Sequence, residues 1–265
     1  MIKNELKKIR HTRSMYVVLL IGLISCMLGI ISYYDTARYS YGNNHPEEVT
    51  AYNAWLDCLS IGSSVYRLIL PLLITPFIDS YFMERKMGYQ NFILARCNRR
   101  KYFFTKWFSG SLTAAGIVAL ILVLTLIICI SIFPLNQPIP ERTYLHKNFG
   151  INYYLNNPFK FIVLLILSNM FVAVVYYTIG FSFSNSVKNQ NLLKLIPFLL
   201  FLCQLYLSQA LNIPAMSPLV FIAYYEVIGL TPKTMVYTGV CNLFIAFALL
   251  LICYWKDKHN IGTVM

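Results

Sequence analysis

The chain has 265 residues, 58% hydrophobic and only 12% charged, with a mean hydropathy of +0.59. The charged share is about half that of an ordinary soluble domain, so a water-soluble fold of this size would expose too much apolar surface, and the composition implies the bilayer as solvent. The net charge of +12 is gathered at the ends of apolar runs instead of along a stripe, which reads as membrane topology and argues against nucleic acid as a partner.

Residues 1–14 carry Ile2, Leu6 and Ile9 at helical spacing with five basic residues on the other face. The pattern predicts a short interfacial helix, or more plainly a positive flank for the first span. Residues 15–33 form that span. Leu23-Ile24-Ser25-Cys26 inside it matches a lipoprotein cleavage box, but the chain stays apolar after Cys26, so the match reads as chance. Residues 34–58 are polar and acidic. Residues 59–82 are a second span interrupted by Pro71 and Pro76, which spans tolerate where neighbours satisfy the backbone.

A basic elbow at 84–106 follows, holding seven of the 22 Lys and Arg and one acid. Residues 107–133 are the third span, 134–159 a second polar loop, and 160–184 the fourth span. A polar hinge leads to the fifth span at 192–211, and 235–255 is the sixth. The expected fold class is therefore an all-α polytopic membrane protein with one permease-like domain over 1–265. With the N-terminus inside, the inside segments hold sixteen Lys and Arg against five outside, with Arg67 within a span. Both termini are then cytoplasmic.

Residues 212–234 are apolar but too short and too rich in proline (Pro214, Pro218, Pro232) to cross and return. They read as a re-entrant outer gate, since irregular backbone at membrane depth survives only when protein covers it. The plainer alternative is an interfacial loop helix anchored by Tyr224 and Tyr225. Charges inside spans are costly and tend to be functional. Arg67 faces a cavity and contacts cargo in one reading; in the other it snorkels, or pairs with Glu226 or Asp57. Asp79 is about 18 Å further along the same helix, too far to pair with Arg67.

Catalytic signals are absent: no GxxxxGK[ST], no HExxH, no metal-spaced His or Cys among four His and seven Cys. Glu47-Glu48 lies in an outside loop without the neighbours an intramembrane protease needs. No enzyme, cofactor or metal site is expected on this chain, and no disulfide framework.

The order of interfacial helix, six spans, basic elbow and re-entrant segment resembles the permease subunits of type-2 ATP-binding-cassette exporters over nearly the whole chain. Locally, Glu84 and Gly88, then Ile93-Leu94-Ala95, Arg99-Arg100 and Lys106 are similar to the family's elbow motif, with Cys97 where the family has proline. The resemblance implies that the elbow is a coupling helix docking into a separate ATPase subunit, present in two copies, which binds the ATP and magnesium. Phe92, Ile93 and Leu94 would be its apolar anchors, and Arg96, Arg99 and Arg100 its forked contacts to acidic groups. It also implies a second permease copy or paralogue, completing a pathway lined by Arg67, Asp79, Pro214, Pro218, Tyr224, Tyr225 and Glu226. A composition rich in Lys, Asn, Ile and Tyr fits an AT-rich bacterial genome and so a bacterial plasma membrane. Similar permeases there often export antimicrobial peptides, which makes a hydrophobic peptide the expected cargo. Lipid or polysaccharide export, a vitamin-uptake subunit and a non-transporting immunity protein remain as alternatives.

Overall fold

The computed structural model describes residues 13–41, 49–60, 65–137, 150–213, 216–227 and 230–261. Their helices, in chain order, are α1 (Arg13–Tyr41), α2 (Ala51–Asp57), α3 (Tyr66–Leu73), α4 (Asp79–Lys86), α5 (Tyr89–Leu94), α6 (Arg99–Ile132), α7 (Ile151–Asn156), α8 (Pro158–Ser182), α9 (Gln190–Ala210), α10 (Leu219–Ile222) and α11 (Pro232–Ile261), with 3-10 turns at Thr75–Phe77, Phe183–Asn185 and Tyr224–Glu226. Every regular element among the described residues is helical. Five of them, α1, α6, α8, α9 and α11, are long and apolar enough to cross a bilayer, and their cores coincide with the predicted first, third, fourth, fifth and sixth spans. The chain is a multi-pass helical membrane protein. The predicted interfacial helix lies outside the described residues, except that Arg13 and Ser14 already belong to α1.

The predicted second span departs from a simple helix. The stretch 59–82 is α3, a 3-10 turn and the start of α4, with 61–64 outside the described residues. Pro71 has no N–H to give the Arg67 carbonyl, and Pro76 stands at the start of the 3-10 turn. Such a path needs protein around it. Leu70, Leu73, Ile74, Phe77 and Ile78 are accordingly buried, with α1, α8 and α9 packed along α3.

The polar stretch before it is not simply a loop. α1 runs on to Tyr41, and α2 is folded in against α1 and α6. Thr50 caps α2, its Oγ1 accepting from Asn53 N at 3.2 Å. The Trp55 indole then donates to the Leu122 carbonyl at 3.0 Å. Leu122 lies about 15 Å inside the Ile132 end of α6 at 1.5 Å per residue, so α2 stands beside an apolar part of that helix. Its approach to α1 requires Gly29: a Cβ there would lie 2.7 Å from Cys58 Cα. Cys26, Cys58 and Cys129, all fully buried, meet at this junction. The Cys58 thiol donates to the Ala54 carbonyl at 3.3 Å. All seven cysteines are free thiols.

α8 is the hub, touching α6, α9, α10 and α11, and 61% of its most apolar stretch is buried. α11 is peripheral: only 17% of its corresponding stretch is buried, and it leans on α8 and the 3-10 turn after it. α6 has 34 residues, about 51 Å, against about 30 Å of hydrocarbon. Its Arg99 end therefore projects out of the apolar layer.

Candidate functional site

The elbow is built at that projecting end. α4 finishes at Lys86, the chain reverses through Met87 and Gly88, α5 follows, and α6 begins after Asn98. Gly88 has φ +75°, a left-handed turn that a side chain would strain. Asn98 caps α6, its Oδ1 accepting from Arg100 N at 3.1 Å. The short helix of the elbow is Tyr89–Leu94. Residues 99–106, expected as loop, are the first turns of α6.

Beneath α5 lies a polar core. Glu84, at the end of α4, is buried; Lys106 Nζ donates to its Oε1 at 2.6 Å and Tyr102 Oη to its Oε2 at 2.7 Å. Lys106 thus neutralises the carboxylate, and Tyr102 donates to its other oxygen. Lys106 also sits 5.9 Å from the Tyr102 ring centroid. The next residue, Arg85, reaches elsewhere: Nη1 donates to Asn185 Oδ1 at 2.6 Å. A ring cluster closes the space between, with Tyr81 and Phe103 at 5.1 and 5.3 Å from Phe181 and Tyr254 at 5.3 Å from Phe103. Trp107 Nε1 donates to Thr178 Oγ1 at 3.0 Å. The elbow is therefore bolted to α6 and α8.

Its outer surface is different. Phe92 is 75% exposed, and Met87 and Tyr89 are also exposed. Lys86, Arg96, Arg100 and Lys101 of the same elbow are exposed as well. The elbow thus carries exposed apolar and cationic side chains on a segment held from below.

At the far end of the bundle the segment 216–227 is folded into the protein. Val220, Phe221, Ile222, Ala223, Tyr224 and Tyr225 are buried. Its carbonyls are held by side chains from two long helices: Ser168 Oγ donates to Phe221 O, Asn169 Nδ2 to Ile222 O at 3.0 Å, and Gln204 Nε2 to Met216 O at 2.9 Å. Tyr225 Oη donates to Leu56 O at 2.9 Å. Asn169 lies about 16 Å along α8 from its Pro158 end. Nearby, Tyr154 Oη donates to Asn53 Oδ1 at 2.7 Å. Burial, with Tyr33 and Tyr52 close by, pushes the Tyr154 phenol above its ordinary range.

The sequence-predicted residues divide accordingly. Phe92, Arg96 and Arg100 lie on the elbow surface, while Ile93, Leu94 and Arg99 are half-buried, the first two packed on the core. Glu84 is turned inward, and its carboxylate is occupied by Lys106 and Tyr102. Arg67 is 1% exposed, its Nε donating to Leu59 O, so it does not snorkel to a bilayer surface. It stands apart from the elbow, at the broken span. Tyr224 and Tyr225 are interior residues, not interfacial anchors. Pro218 precedes α10. Pro214 lies outside the described residues, as do the side chains of Asp79 and Glu226. Sequence reasoning passed over Arg85, Tyr102, Asn185, Ser168, Asn169 and Gln204. Ser168-Asn169, a polar pair inside an apolar run, was a readable signal; Asn185 offered none.

Fold and site together define a polytopic helical membrane protein with a tethered elbow carrying an exposed apolar tip at one end and an inserted short-helix segment at the other. No protein-family model, curated protein or solved structure matches the chain.

Proposed function

We propose that this chain is the membrane-spanning subunit of an ATP-driven exporter of the type-2 ATP-binding-cassette class, coupled to a separate ATPase subunit. The observation that carries the reading is the elbow. An exposed Phe92, in an elbow that also exposes Lys86, Arg96 and Arg100, rides on a short helix whose neighbours are anchored in α6 and α8. Positive charge alone follows from topology; an exposed aromatic tip on a braced helix does not.

In this reading the broken path through α3 and α4 is the sixth crossing, both termini are cytoplasmic, and the membrane is the bacterial plasma membrane. Two copies, or this chain and a paralogue, enclose the pathway. The segment 216–227 is the re-entrant outer gate, supported by its burial and by the carbonyl contacts from Ser168, Asn169 and Gln204. Closure of two ATPase subunits moves the elbows, the long helices tilt as rigid bodies, and the gate segment is released. ATP and magnesium belong to the partner. The small outer loops leave no room for a large extracellular binding domain, and a hydrophobic or antimicrobial peptide is the preferred cargo class.

The test is purification in mild detergent followed by vesicle transport. An ATPase subunit is expected to stay bound, and peptide is expected to leave loaded vesicles only with ATP. A chain that purifies alone under all mild conditions overturns the reading.

A further inference from the structure

Consecutive side chains at the end of α4 reach different helices. Glu84 is closed off by Lys106 and Tyr102 of α6. Arg85 points to the end of α8, where Nη1 donates to Asn185 Oδ1 at 2.6 Å and lies 3.4 Å from Asn185 O. The Asn185 amide is used at both ends. Its oxygen receives α4, while its nitrogen donates to Cys253 O at 3.0 Å and lies 3.3 Å from Cys253 Sγ. One side chain thus joins α4, α8 and α11 in series. The position matters because α11 is the least embedded long helix and packs on α8 and the Phe183–Asn185 turn. Asn185 is the link between that far end and α4, beside the Tyr254 ring packed on Phe103 and Phe104 of α6 and Lys256 donating to Ser186 at 3.5 Å.

The two links differ in kind. Glu84–Lys106 is an ion pair shut away from water, costly to separate. Arg85–Asn185 is a cation on a neutral amide with both residues half-buried, a contact that breaks and re-forms more easily.

We propose that Arg85 and Asn185 are a relay that carries elbow movement to α8 and α11, while Glu84 and Lys106 carry it to α6. Both are positioning residues beneath the docking surface, not contacts to the motor. The inference rests on the exporter reading.

The experiment uses the full chain with its co-purified ATPase in lipid nanodiscs, following hydrogen exchange with and without ATP plus vanadate. In the wild type the nucleotide is expected to change exchange at both 99–106 and 250–256. Arg85→Ala is expected to keep the ATPase bound and keep the response at 99–106, but to reduce that at 250–256 at least five-fold, with Arg85→Lys restoring part of it. Asn185→Asp retains the Arg85 contact as an ion pair yet loses the donor to Cys253. It should preserve the response at 183–185 and abolish that at 250–256. An unchanged 250–256 response in Arg85→Ala, with the ATPase held, overturns the relay alone. Loss of the ATPase from Arg85→Ala makes Arg85 a docking residue and also overturns it. A wild-type chain that holds no ATPase removes the exporter reading and the relay together.

Discussion

Lys106 Nζ stands 2.6 Å from Glu84 Oε1, with the two side chains only 2% and 9% exposed. A buried pair is weak evidence of net stabilisation, but removing one member strands a charge, which costs roughly 3–5 kcal/mol. Glu84→Gln and Lys106→Met are each expected to lower the melting transition in detergent strongly. The double variant should lose clearly less than the sum, because no lone charge remains. Strictly additive losses would show that the two groups do not act as a pair.

Phe92 calls for the opposite outcome. Its ring is largely outside the core, so Phe92→Asp should leave the melting transition within a degree or two. On the exporter proposal, retention of an ATPase subunit in pull-down should fall at least ten-fold, and Arg100→Glu should deepen the loss. Intact retention and function in the double variant would mean that the elbow is not the docking element.

At Gly29 the obstacle to a side chain is main chain: Cys58 Cα at 2.7 Å and Asp57 O at 3.0 Å from the added Cβ. Backbone cannot rotate away, so Gly29→Ala should push α2 off α1 and cost about 1–3 kcal/mol. Gly116→Ala, with nothing within 4 Å, is the control and should be neutral or slightly stabilising. Equal melting of the two variants would refute the packing of α2 against α1.

Tyr154 supplies a pH dependence. Its folded-state pKa is raised, so the folded chain keeps a proton that the unfolded chain releases above about pH 10. Stability from this group is complete below that pH and is lost as pH rises further. Tyr154→Phe should cost about 1 kcal/mol near neutrality, through the lost bond to Asn53. The gap to wild type should narrow above pH 10. Parallel melting curves of the two proteins from pH 7 to pH 11 would count against the buried phenol.

Much of the fold was legible because long apolar runs have one stable form in lipid. The cores of α1, α6, α8, α9 and α11 fall where hydropathy puts spans, and Asn98 and Asn189 cap α6 and α9 as short polar residues do. The broken second span was half-legible: Pro71 and Pro76 announce a break but not what covers it. The elbow's location was readable from its charges. The inward turn of Glu84 was not, because its partners Tyr102 and Lys106 are 18 and 22 residues away and meet it only once α6 runs beside α4.

Local chemistry by itself determined the solvent, the helical class and the apolar cores of the long helices, since these depend on apolar length and on where proline and polar residues interrupt it. Only the tertiary structure decided that α2 folds in against α6, that Cys26, Cys58 and Cys129 meet, that Arg67 is interior, and that Asn185 joins three helices. The physical reason is that these are pairings between distant segments. Each is set by which helix faces lie against each other and by the need of buried polar groups for partners, and neither is recorded in the spacing of residues along one element.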